Sequence, residues 1–213
     1  MEEGDLILTP PMCWHGHINE SKHRTVWFDA ANMPLISGLD ANWFEPGLGQ
    51  PEDFWRVNEG EEALWEAAGM IAQGAALDTA HSPKYRYPGE ATRRLLARLA
   101  PGPDGARSLR YVNPATGGPV MPTLDCHAMR LAADPATRPR RVSWNQICLV
   151  VAGEGCSRIG EREFAWARHD VFTVPHWSWT SHQGRGGEAD LFIVSDRAAF
   201  ERLGLARDEI EQS

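Results

Sequence analysis

Residues 4–19 read Gly-Asp-Leu-Ile-Leu-Thr-Pro-Pro-Met-Cys-Trp-His-Gly-His-Ile-Asn, and this stretch joins a strand pattern to side chains able to hold a metal. Asp5 to Thr9 is a short apolar run bounded by Gly4 and by Pro10-Pro11, which predicts a strand ended by residues that cannot continue a ladder. A second extended segment is expected after the turn. Side chains alternate across a strand, so His15, His17 and Asn19 are expected on one side, with Trp14, Gly16 and Ile18 on the other. Two imidazoles then share a face. Near-adjacent histidines can serve structure alone, satisfied by backbone carbonyls, or they can ligate a metal.

Working outward, Thr25-Val-Trp-Phe-Asp29 predicts a strand with Trp27 and Asp29 on one face. Leu35 to Phe44 reads as a short helix or turn. Gly, Pro and acidic residues from Gly47 to about Gly60 predict a surface linker. Two amphipathic helices follow, over Glu61 to Gln73 and Glu90 to Leu99, the second closed by Pro101-Gly102. Residues 109 to 124 read as strand, Gly/Pro turn and strand, continued by Cys126 to Leu131. Six short strands are then predicted: Gln146–Val151, Cys156–Ile159, Glu163–Trp166, Asp170–Pro175, Ser178–His182 and Asp190–Ser195. Such regular short strands indicate a small barrel or sandwich. Ala198 to Leu203 followed by Gly204 reads as a terminal helix.

Composition narrows the function classes. A chain of 213 residues can bury a substantial core. Its 21 Lys and Arg against 29 Asp and Glu give a net charge of -8, without the basic footprint of a nucleic-acid binder. Nine tryptophans and fifteen prolines suit an all-β fold with tight corners and aromatic filling. Cys13, Cys126, Cys148 and Cys156 have no zinc-finger or Cys-x-x-Cys spacing and do not suggest disulfides. The first residues lack the basic and apolar regions of a signal peptide, and no run approaches the ~18 apolar residues of a membrane span. A cytoplasmic protein that does not bind membrane is expected. One internal echo stands out: residues 169–182 repeat the order of residues 4–17, with Asp170 matching Asp5, Pro175 Pro10, Trp179 Trp14 and His182 His17.

The spacing of Gly4, Pro10, His15 and Asn19 resembles the second conserved motif of the cupin superfamily, with Met12 where glycine is usual. In that motif the histidine is a metal ligand, which nominates His15. Taken in order with Trp27-Phe-Asp29, Phe44-Glu-Pro46, Asn113-Pro-Ala-Thr-Gly-Gly-Pro119, Thr123 and Ser195-Asp-Arg197, the sequence resembles the gentisate 1,2-dioxygenase family of bicupins. That family includes salicylate and 1-hydroxy-2-naphthoate dioxygenases. The likeness extends over nearly the whole chain.

The resemblance implies a mostly β fold of the cupin type, a double-stranded β-helix or jelly-roll barrel with a few short helices. Residues 1–46 would be the second half of a first cupin, 47–108 a linker with two helices, 109–198 a second, complete, metal-free barrel, and 199–213 a C-terminal helix. It also implies an Fe(II)-dependent oxidoreductase that opens a small aromatic hydroxy-acid with O2, as gentisate is opened to maleylpyruvate, and that works as a homo-oligomer. Carried over by position, His15 matches the third iron ligand, His17 a catalytic histidine beside the substrate, and Trp27, Asp29 and Phe44 substrate-pocket positions. The other two iron ligands belong to a His-x-His that members carry upstream, so the site is expected to be incomplete in this chain. The second barrel has Pro139-Arg-Arg-Val142 and Thr180 where ligands would stand, and His169, His176 and His182 read as surface or core histidines. Two other functions fit the same residues: a non-catalytic cupin that binds a small molecule or partners a full-length paralogue, or a different metal held by His15, His17 and a neighbour such as His23 or Cys13.

Overall fold

The computed structural model describes residues 1–11, 15–45 and 80–212. The linker expected over 47–60 and the helix over 61–73 lie outside the described residues, as does Cys13. Twelve strands and three helices are present among the described residues: β1 (Leu6–Ile7), α1 (Met33–Gly38), β2 (Arg86–Tyr87), α2 (Gly89–Leu96), β3 (Arg107–Arg110), β4 (Asp125–Leu131), β5 (Arg140–Val142), β6 (Gln146–Ala152), β7 (Glu154–Ile159), β8 (Arg162–Ala167), β9 (Val171–Val174), β10 (Thr180–Gly184), β11 (Ala189–Ser195), α3 (Arg197–Arg202) and β12 (Asp208–Ile210).

Ten of the strands form two five-stranded antiparallel sheets, in the orders β12-β5-β10-β7-β8 and β3-β4-β11-β6-β9. This is a jelly roll of the cupin type, and its longest ladder, β4 against β11, runs from Asp125↔Ser195 to Leu131↔Ala189. Alternation along β4 divides its environment. Met129 and Leu131 point between the sheets, where they pack with Cys148, Val150, Trp166, Val174, Leu191 and Ile193. Cys126 and Ala128 point outward into a second apolar cluster with Leu8, Leu96, Tyr111, Val120 and Val194. The jelly roll is therefore buried on both faces of its central strands, and β11 accordingly carries the unbroken apolar run Leu191-Phe-Ile-Val194.

The outer cluster joins the N-terminal segment to the sandwich. β1 pairs with β2, Leu6 facing Tyr87 and Ile7 facing Arg86. Asp5 fixes that corner: its carboxylate accepts the backbone N–H of Gly89 at 2.9 Å and of Glu2 at 2.8 Å, and Arg86 Nε at 2.8 Å. Burial works against the charge, but those three donors outweigh it and hold the Asp5 carboxyl below its usual range. Gly89 must be glycine for this approach, because a Cβ there would lie 2.5 Å from the Gly4 carbonyl carbon.

All six predicted strands from Gln146 to Ser195 are present within two residues of their expected ends. Three expectations are corrected. The segment 199–213 is not a helix: α3 ends in a Schellman motif, with Leu205 N–H on Phe200 O at 2.9 Å, Gly204 N–H on Glu201 O at 3.2 Å and Gly204 at φ 70°. The chain then turns back as β12 and pairs with β5, so the sandwich extends to Ile210 and begins at Arg107. The strands expected over His15 to Asn19 and Thr25 to Asp29 form no ladder among the described residues, and the chain bends between them at residues 21–23. The helix expected near 35–44 is the shorter Met33–Gly38. Among the described residues, no helix is long and apolar enough to cross a membrane.

Candidate functional site

Residues 15–30 bring the nominated side chains together without a ladder to align them. Phe28 and Ala30 turn inward against the outer apolar cluster, which leaves Trp27 and Asp29 facing out. The His15 and His17 rings lie edge to face with centroids 5.8 Å apart, and His17 packs on Trp27 at 5.0 Å. Trp27 Nε1 in turn donates to Asp29 Oδ2 at 3.0 Å. Four of the five nominated residues therefore form one exposed chain of contacts, His15 to His17 to Trp27 to Asp29. Phe44 is 87% exposed and is not part of that chain. Asn19, expected on the same face, ties its own turn instead: its Oδ1 accepts Ser21 N–H at 3.0 Å and its Nδ2 donates to His23 O at 2.8 Å.

A second constellation lies between the two sheets, at the polar end of the core. There the inward residues of β4 change from Met129 to His127 and Asp125, and a cavity of about 220 Å³ opens. Arg110, paired with His127 in the β3–β4 register, donates Nε to Asp125 Oδ1 at 2.8 Å. Asp125 Oδ2 is buried without a hydrogen-bond partner among the described residues, 3.9 Å from Arg197 Nε. Burial raises the Asp125 pKa, and the neighbouring Arg110 and Arg197 charges only partly offset that. His127 is half-buried, and burial pushes its pKa down to about 3, with Arg140, Arg197, Arg110 and His182 adding to the effect. His182 is buried, its pKa down to about 4 for the same first reason. His169 and His176 are exposed on the surface.

Known proteins resemble this chain along nearly its whole length. No family model matches the chain. It is 36% identical to a gentisate 1,2-dioxygenase of Streptomyces sp over 220 residues, covering 97% of this chain and 60% of that protein. It is 34% identical to a 5-aminosalicylate 1,2-dioxygenase of Comamonas sp over 219 residues, covering 98% and 56%. A crystal structure of salicylate 1,2-dioxygenase from Pseudoaminobacter salicylatoxidans, in adducts with gentisate, superposes with a TM-score of 0.90 at 33% identity, over 100% of this chain and 61% of that one. The chain resembles the gentisate 1,2-dioxygenase family over nearly its whole length. It spans about 60% of the length of these relatives.

Members of this family are typically iron-dependent, so the described residues can be tested against that metal. They do not complete a site. A facial iron centre needs three protein ligands and keeps its remaining positions open. Among the described residues, no group of three or more His, Cys, Asp or Glu side chains is placed to hold an ion. His15 and His17 offer two imidazoles side by side.

Reading the sequence missed His127 and Asp125 as site residues. Alternation in Asp125-Cys-His-Ala-Met129 was the available signal, since it puts both polar side chains on the inward face with Met129. The missing information was that this face ends at a cavity.

Proposed function

We propose that this chain is part of a ring-cleaving dioxygenase of the gentisate type, which uses Fe(II) and O2 to open a small hydroxylated aromatic acid. Gentisate would take up both atoms of one O2, with nothing else gained or lost, to give the ring-opened oxo-diacid maleylpyruvate. The supporting observation is that 30–36% identity to three gentisate 1,2-dioxygenases runs through the segment where His15, His17, Trp27 and Asp29 cluster. In this reading His15 is one iron ligand. His17 exchanges a proton or hydrogen bond with the substrate, Trp27 stacks on its ring, and Phe44 closes over it. Asp29 holds the Trp27 indole in place.

The experiment is anaerobic Fe(II) loading followed by gentisate addition, reading bound iron, O2 consumed and ring-opened product. The 213-residue chain alone is expected to hold iron weakly and turn over slowly or not at all. The same chain, extended at its N-terminus by the segment carrying the family's His-x-His, should hold one iron and consume one O2 per gentisate. In the extended protein, His15→Ala should lose iron, whereas His17→Ala should keep iron and lose turnover. Iron binding without turnover of gentisate, salicylate, 5-aminosalicylate or 1-hydroxy-2-naphthoate would overturn the proposal in favour of a non-catalytic binder.

A further inference from the structure

The cavity between the sheets takes no part in the function proposed above, yet it is built like a binding site. At about 220 Å³ it is far larger than the ~10–15 Å³ a single water needs, and smaller than the ~300–1,000 Å³ of pockets that take drug-sized ligands. Its size therefore suits a small molecule. Its walls carry guanidinium and imidazole groups over an apolar floor that includes Met129 and Val142.

Arg197 is held in place while its fork is left unengaged. Its Nε donates to Glu201 Oε1 at 2.7 Å, and its guanidinium lies 5.0 Å over the ring of Trp144, which is buried. The Asp125 carboxylate attracts it from beneath at 3.9 Å. Nη1 and Nη2 make no hydrogen bond among the described residues. Neighbouring arginines are committed: Arg140 gives Nε and Nη2 to Asp208 and Nη1 to Asp104, and Arg110 gives Nε to Asp125 and Nη2 to Glu201. A guanidinium fixed through Nε and its face, with two terminal N–H groups open, is the geometry that takes a carboxylate in two parallel hydrogen bonds.

His127 is the second unengaged group on this wall. Its ring nitrogens make no hydrogen bond among the described residues, whereas His182, across the cavity, is already bonded to Ser157 Oγ at 2.7 Å. Surrounded by Arg110, Arg140 and Arg197, the His127 imidazole stays neutral near pH 7, so it presents one donor and one acceptor. An acceptor nitrogen and an open guanidinium lining one small cavity match a ligand with a hydroxyl close to its carboxylate. We propose that this cavity binds a small hydroxycarboxylic acid, with the carboxylate on Arg197, the hydroxyl on His127 and the carbon skeleton against Trp144 and Met129.

The test is calorimetric titration of the 213-residue chain, with lactate and salicylate as probes, propionate and benzoate as their counterparts lacking the hydroxyl, and inorganic phosphate as a plain anion. Both hydroxy-acids are expected to bind saturably and more tightly than their counterparts. Arg197→Lys keeps the charge but loses the fork, and should weaken every carboxylate about tenfold or more. His127→Phe should bring lactate down to the affinity of propionate and leave propionate unchanged. His15→Ala should change neither, which separates this site from the one in the preceding proposal. In the unmodified protein, the imidazole NMR signals of His127 should move on titration, so the outcome does not depend on a variant folding. No saturation at concentrations on the order of 10 mM, equal binding of phosphate, or His127 signals that stay still would each overturn the proposal.

Discussion

Ser157 Oγ and His182 Nδ1 lie 2.7 Å apart between β7 and β10, and the same oxygen accepts Trp166 Nε1–H at 2.8 Å. With the indole taking one lone pair, the hydroxyl is free to donate to Nδ1 of a neutral imidazole, and all three polar groups are satisfied inside the sandwich. Protonating His182 would place a second hydrogen on that contact and a buried charge beside the Phe172 ring.

This makes His182 one source of acid sensitivity in the fold. The folded-state pKa of His182 is about 4 and that of His127 about 3, both below the ordinary value near 6.5. Groups with depressed folded pKa values contribute stability that is complete above about pH 6.5 and is lost as pH falls toward 4 and below, because the unfolded chain takes up the protons first. Urea unfolding at pH 7.5, 6.5, 5.5 and 4.0 should show a loss of about 3 kcal/mol attributable to His182 by the last of these. His182→Gln should flatten that pH dependence by about one proton even if it lowers stability throughout. An unchanged slope would show that His182 is protonated in the folded state.

The Asp5 corner makes a separate prediction. Asp5→Ala removes the carboxylate that accepts from the Gly89 and Glu2 N–H groups and from Arg86 Nε, and should cost about 1–3 kcal/mol locally. Because β1 has few ladder partners, the loss should appear as faster hydrogen exchange at Leu8 and Tyr87, with the β4–β11 ladder unchanged. Gly89→Ala should produce the same local release, since its Cβ meets the Gly4 backbone at 2.5 Å.

Trp27→Ala and Phe44→Ala should separate binding from stability. Both side chains are at least half exposed, so the unfolding free energy should stay within about 0.5 kcal/mol of the parent. Turnover or aromatic-acid binding in the extended protein should fall for Trp27→Ala, which loses the contact with His17 and the hydrogen bond to Asp29. Equal activity in both variants would exclude this face from the substrate pocket.

Self-association is the fourth expectation. Ile18, Val26, Trp27, Met33, Leu39, Trp43 and Phe44 are all large, apolar and exposed within 27 residues of sequence, more than a lone soluble domain normally leaves uncovered. Light scattering at micromolar concentration should report a dimer or larger species, and Trp43→Ser combined with Phe44→Ser should shift it toward monomer. A monomer in the parent protein would contradict this.

Much of the fold could be read from residue order because its signals are local. Six strands from Gln146 to Ser195 follow from short segments set off by turn residues, and Gly204 marks the end of α3 through the positive φ its position requires. His15 lying beside His17 is in keeping with their i, i+2 spacing, whereas the contact of His17 with Trp27 crosses the turn at Asn19–His23 and no alternation announces it. Other features depend on contacts distant in sequence. β12 exists because Asp208 to Ile210 finds the edge of β5, some 68 residues earlier, and no local pattern announces that partner. Phe44 carries the family's spacing but has no neighbour to place it among the described residues. The cavity that joins Arg197 to His127 and Asp125 appears only when two sheets close over one another, since a side chain's burial, charge state and unused hydrogen bonds are set by what packs against it.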